Sequence, residues 1–271
     1  MPHLPPLNLR QRIHTLVWAR RGLLWVLLPW AVWSLAQRQW GWLLVLGMAL
    51  LLRAALKSWE LALRRQFIRD AELPRFLTSQ ILAAHPGLQA RDAELVLRGL
   101  RQFFMAHLRS GRQFVGMPSK VVDTAWHAYI LHTQGYARWC QTAFGGMLHH
   151  TPAEVMGKNR QHNDGLRRTW FWTCKEESIH PRKPSRLPLL FALDAKFGIE
   201  GGYRYTPDCK DIGAQSDAGA YCGADFGSSS DGGSSSSDSS SGDFGGADSS
   251  ADGGGSDGGG CGGGGCGGGG D

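Results

Sequence analysis

From Asp211 onward the chain loses nearly all of its large aliphatic residues, contains no Lys, Arg or Glu, and becomes Gly, Ser and Asp. Such a segment cannot bury enough apolar surface to offset the entropy of ordering it. Whatever compact fold this chain adopts must then be assembled from residues 1–210. The tail, residues 211–271, is expected to be a disordered, solvated spacer. Tyr221 and Phe226 stand near its start as isolated aromatic residues, and Cys261 and Cys266 sit among glycines as a weak thiol pair.

The composition break also divides the charge. The ten aspartates from Asp211 onward put −10 on the tail, so the formal +6 of the whole chain leaves +16 on residues 1–210. A basic body of this kind fits anionic lipid or nucleic acid, or is screened by its own acidic tail. No nucleic-acid-reading motif accompanies it. The six Cys lack the density and spacing of a secreted disulfide framework and read as reduced thiols.

Two apolar runs, Gly22 to Ala36 and Trp40 to Leu52, are separated by Gln37, Arg38 and Gln39. Each is short for a membrane span, which needs about 20 residues. They lengthen outward if Arg20, Arg21 and Arg53 snorkel to headgroups. Trp25, Trp30, Trp33, Trp40 and Trp42 fit interfacial anchoring, and the arginines before the first run and after the second put both ends on the cytoplasmic side. The expectation is a transmembrane helical hairpin in the inner membrane, with the lipid bilayer as partner and the main domain and tail cytoplasmic. Two alternatives are a signal peptide cleaved after Ser34-Leu35-Ala36, which the tryptophans and Pro29 fit poorly, and a pair of buried core helices.

Beyond the anchor, apolar residues recur at three- and four-residue spacing. The pattern predicts helices from Trp59 toward Pro74, over Phe76 to Ala84, and over Asp92 to Leu108. A further helix starts at Ser119, an N-cap after Pro118, and runs toward Gly135; another covers Tyr136 to Phe144. Thr151 with Glu154 forms a capping box that would open the next, and Arg167 to Glu177 and Leu187 to Phe197 complete the set. The predicted fold class is therefore mostly α: a membrane-anchoring hairpin over residues 1–57, an all-α bundle over residues 58–210 and the tail.

One stretch carries chemistry. On a helix from Ser119, Asp123, Trp126, His127 and Ile130 share a face while His132 points away. His149 and His150 stand at the entrance of the following helix. Two imidazoles and a carboxylate suit zinc or a similar divalent ion, so Asp123 and His127 with His149 or His150 are the candidate ligands. The competing reading makes Trp126 and His127 core residues whose polar atoms pair locally. Cys140 is a candidate nucleophile with a nearby histidine as base, or a small buried residue.

Pro118-Ser119-Lys120-Val121-Val122-Asp123, Trp126-His127, Thr133, Tyr136, Cys140, Phe144 and Leu148-His149-His150-Thr151-Pro152 together resemble the signature of the glycine-rich domain-containing protein-like family of bacteria. The Gly/Cys-rich ending is similar in kind. The resemblance implies a domain and no established reaction. Related plant proteins carry Trp-His-x-His, where this chain has Tyr129 in place of the second histidine.

Two functions follow. The first is a membrane-anchored interaction or scaffold module binding a protein partner through its helical domain. The second is a membrane-anchored zinc-type hydrolase using Asp123, His127, His149 and His150.

Overall fold

The computed structural model describes residues 8–36, 42–150, 164–207 and 220–227. The first apolar run lies in helix α1 (Leu9–Ala36) and the second in α2 (Trp42–Asp70). Both helices continue far past the apolar runs into charged sequence. Arg20 of α1 reaches Glu60 of α2, and only five residues join Ala36 to Trp42, so the two helices run antiparallel.

The expected transmembrane hairpin is overturned. Among the described residues no helix is long and apolar enough to cross a membrane. Between its last arginine and its end, α1 offers 15 uncharged residues, and α2 offers 11 before Arg53, against the ~20 a span needs. Extending those stretches required arginines that snorkel to lipid. Instead, Arg20 Nη1 lies 3.2 Å from Glu60 Oε2, and Arg64 Nη2 lies 2.8 Å from Glu60 Oε1. Glu60 and Arg64 are both buried. Arg20 thus fastens α1 to α2 through Glu60, and the inner-membrane localisation inferred from the two runs, with the bilayer as its partner, is not supported.

The core is organised around α4 (Ala90–Arg109), whose first turn is closed by Gln89 N donating to Asp92 Oδ2 at 2.9 Å. Helix α4 packs against α2, α3 (Phe76–Ala84), α5 (Lys120–Leu131), α7 (Asp164–Glu176) and α8 (Leu189–Lys196). Its Phe103 stacks 4.7 Å from Trp126 of α5, and Phe104 lies 4.5 Å from Trp139 of α6 (Thr133–Ala143). Each such fully buried aromatic contributes roughly 1.5–3 kcal/mol. Gly99 allows α8 its close approach, since a Cβ there would meet Leu193 Cδ1 at 2.6 Å.

The fold is mostly helical but not all-α. Strand β1 (Arg204–Thr206) pairs in parallel with β2 (Ala220–Cys222), with Tyr205 opposite Tyr221. A short helix, α9 (Gly223–Gly227), then sets Phe226 against Trp170 of α7 and Phe191 of α8, and Phe226 is fully buried. Residues 220–227 thus belong to the folded body, although composition assigned them to the tail. Cys222 is buried and disulfide-bonded, which corrects the reading of the thiols as uniformly reduced. The rest of the tail, like the capping box at Thr151 to Glu154, lies outside the described residues.

Candidate metal centre

Helix α5 starts where Ser119 predicts. Ser119 has extended backbone, and its Oγ accepts from Val122 N at 3.3 Å. The same hydroxyl donates to Asp194 Oδ1 at 2.7 Å. Asp194, buried on α8, also accepts from Lys120 N at 2.7 Å, Val121 N at 3.2 Å and Tyr203 N at 2.9 Å. A carboxylate at this end meets the unpaired N–H groups of the first turn and the positive end of the helix dipole. Sequence reasoning missed Asp194. Its one signal was a charge placed directly after the apolar stretch Leu189 to Leu193, since a buried charge needs partners.

With Val121, Val122, Ala125, Trp126 and Tyr129 buried, α5 turns Asp123 and His127 outward, one helical turn apart. His150 arrives from the other side. After α6, Gly145 at φ 79° takes the left-handed conformation that ends the helix, and its N–H bonds Gln141 O at 2.9 Å. The chain then runs back over α5, where two hydrogen bonds hold it. Trp126 Nε1 donates to Tyr136 Oη at 3.0 Å, and Tyr136 Oη donates to Leu148 O at 2.7 Å. Two residues beyond Leu148, the His150 ring packs 4.8 Å from Trp126 and 4.3 Å from His127, centroid to centroid.

Asp123, His127 and His150 thus face one another. His150 Nε2 is 3.5 Å from Asp123 Oδ1, and His127 Nδ1 is 3.3 Å from Asp123 Oδ2. His127 Nδ1 also lies 2.9 Å from the Asp123 carbonyl oxygen, so this nitrogen donates to an acceptor and carries a proton. The three ligand atoms all lie within 4.8 Å of one another. The side chains are 32 %, 50 % and 21 % exposed for Asp123, His127 and His150, which leaves the group open to solvent. Burial pushes the Asp123 carboxyl above its ordinary range, opposed by the neighbouring His127 and His150.

This donor set fits a divalent transition metal. Ligands about 2.1 Å from a tetrahedral ion stand roughly 3.4 Å apart, and each imidazole already stands near that distance from one carboxylate oxygen, His150 from Oδ1 and His127 from Oδ2. With one oxygen as the ligand, the wider separations among the three atoms must shorten on loading, and the proton on His127 Nδ1 must leave. His149 is exposed and outside the group, so of the two adjacent histidines only His150 is brought in. His132 packs on Phe76, away from it. Cys140 is fully buried and its thiol is pushed up by burial, and the Cys174 thiol is pushed up to about 12 for the same reason. Neither has the exposed thiolate that a nucleophile requires.

The family model that matches this chain is that of the UCP032817-like family, over residues 63–226. Its match begins within α2 and ends at Phe226, the last buried aromatic of the described body. This corrects the resemblance read from the Pro118 to Pro152 signature and the Gly/Cys-rich ending, since nothing in the match indicates a glycine-rich domain family. No curated protein and no solved structure shows a significant match. With well over half of its length inside the matched span and all three clustered side chains within it, the chain belongs to the UCP032817-like family.

Proposed function

We propose that Asp123, His127 and His150 bind a divalent metal of the zinc type, and that the domain uses it for hydrolysis. The observation that carries this reading is the convergence of three potential ligand atoms within 4.8 Å on a surface open to solvent. Three protein ligands leave a coordination position for water, which is what separates hydrolytic zinc sites from closed structural ones. The test is metal content of the purified full chain after loading with zinc and dialysis. One equivalent is expected in the wild type and in His149→Gln, with at least tenfold weaker binding in His127→Gln and His150→Gln at unchanged circular dichroism. Less than a tenth of an equivalent in the wild type would overturn the metal reading. A loaded protein that cleaves neither nitrophenyl esters nor nitrophenyl phosphates faster than its His150→Gln variant would overturn the hydrolytic step.

A separate observation favours an interaction role. Trp18, Trp25, Val32, Leu44, Met48 and Leu51 are exposed along α1 and α2, with Trp25 and Leu44 each 81 % accessible. Large apolar side chains left exposed in this number on one helical pair fit a contact surface. The occupant that fits two antiparallel helices with apolar outer faces is a second copy of the same pair, closing a four-helix bundle. Sedimentation of the full chain is expected to show a dimer that Trp25→Gln with Leu44→Gln dissociates. A monomer at every concentration would sink this reading.

A further inference from the structure

A second concave feature lies on elements that do not carry Asp123, His127 or His150. Arg20 of α1, Lys57, Leu61 and Arg65 of α2, Leu108 and Arg109 at the end of α4, Gly111 and Arg112 beyond it, and Trp172 of α7 enclose a cleft of about 570 Å³. Among these lining residues are five cations and no carboxylate. Arg64 and Arg69 stand beside them, and among the described residues Glu60 and Glu176 are the carboxylates that pair with this group. Glu60 pairs with Arg20 and Arg64; Glu176 pairs with Arg69 at 2.7 Å and Arg109 at 2.6 Å. Lys57 and Arg65 have no ion-pair partner among the described residues.

Three details mark the cleft as more than a solvated basic surface. Arg109 is largely buried, and its Nε has no hydrogen-bond partner. Arg112 occupies the left-handed region at φ 70°, directly after Gly111 at φ 72°, a conformation that a bulky side chain adopts at a cost. The guanidinium groups of Arg109 and Arg112 are held below their ordinary pKa, first by burial. Neighbouring charges add to this, Arg65 and Arg69 for Arg109 and Arg64 and Arg20 for Arg112, against opposing Glu176 and Glu60. Like charges gathered beside this turn repel one another, and an anion between them would offset that repulsion.

We propose that this cleft binds a small ligand bearing two or more phosphoryl groups. One phosphoryl group carries at most two negative charges, whereas three cations of the lining, Lys57, Arg65 and Arg112, have no ion pair among the described residues and stand beside the paired Arg20 and Arg109, and arginine presents its donors in a fork that matches phosphate oxygens. Trp172 adds a planar wall on which a ring attached to such a ligand can lie.

Calorimetric titration of the full chain at low ionic strength tests this, with orthophosphate, tripolyphosphate and ATP as probes. Saturable one-to-one binding of tripolyphosphate is expected, at least tenfold tighter than orthophosphate and weakening as salt rises. Tighter binding of ATP than of tripolyphosphate identifies a ring-bearing ligand; equal binding identifies the phosphate chain alone, and either supports the site. Arg112→Gly keeps the backbone conformation while removing the charge, so it should weaken tripolyphosphate at least tenfold without lowering the melting temperature. Lys57→Gln with Arg65→Gln, on the opposite wall, should do the same, while Arg75→Gln, exposed and outside the cleft, should not. Tripolyphosphate binding no tighter than orthophosphate, equal losses in Arg75→Gln, or binding of an RNA oligomer alone would overturn the proposal. Because the cleft shares no residue with the metal centre, these outcomes are independent of the hydrolytic reading.

Discussion

Replacing Asp194 by alanine removes one carboxylate that four donors share. Ser119 Oγ–H and Val121 N–H are buried where they meet it, at 2.7 and 3.2 Å; Lys120 N–H and Tyr203 N–H are partly buried, at 2.7 and 2.9 Å. A buried donor left unmet costs roughly 1–3 kcal/mol, and the two partly buried groups recover some of their loss from water. The expected destabilisation is therefore about 3–5 kcal/mol, in the range found when one partner of a buried charged network is removed. For a body of this size that corresponds to a melting temperature lower by roughly 6–20 °C. Urea unfolding followed by tryptophan fluorescence reads it directly, since Trp126 and Trp139 lie in the core that α5 completes. Asp194→Asn, which keeps one acceptor oxygen, should fall between the two proteins. A loss below about 1 kcal/mol in the alanine variant, with an unchanged denaturant slope, would refute the claim that Asp194 anchors α5.

Burial holds the His107 imidazole at a pKa of about 4, even though its Nδ1 donates to Gln113 O at 3.0 Å. The unfolded chain takes up this proton near pH 6.5 while the folded one resists it, so stability should fall by up to about 3 kcal/mol between pH 6.5 and pH 4. In His107→Gln the stability curve over that window should be flatter by the same amount, and parallel curves would contradict the assignment. Tyr136→Phe removes the hydroxyl between Trp126 Nε1 and Leu148 O, leaving two buried groups unmet at a cost of roughly 1–3 kcal/mol each. It should also loosen the segment that carries His150, so zinc affinity of the variant should drop without any change of ligand; unaltered affinity would show that the loop is held by other contacts.

What was legible in the sequence was local. Phe76 to Ala84 is bounded by its own neighbours and appears as α3. Ser119 caps α5 through a hydrogen bond three residues long, and the Asp123–His127 pair follows from helical period alone. What was not legible depends on residues far apart in the chain. Asp194 reaches Ser119 across 75 positions, and Arg20 meets Glu60 across the helical pair. Neither histidine at 149 or 150 is favoured by spacing; the choice is made by Tyr136, whose bond to Leu148 O sets the path of the backbone. Apolar runs of intermediate length are ambiguous because a helix packed on a helix and a helix in lipid use the same side chains. Their charged flanks separated the two cases only once Arg20 was seen to turn toward Glu60.

The placement of Phe226 governs the order in which this molecule can be completed. Trp170, Phe191 and Tyr205 wait for that one ring, which closes their cluster from α9. Because the ring lies 20 residues past Thr206, at the far end of the matched span, a nascent chain carries an uncovered aromatic face until nearly all of the body has been synthesised. A chain shortened at Lys210 would keep that face permanently, and with it the sticky surface of an unfinished intermediate.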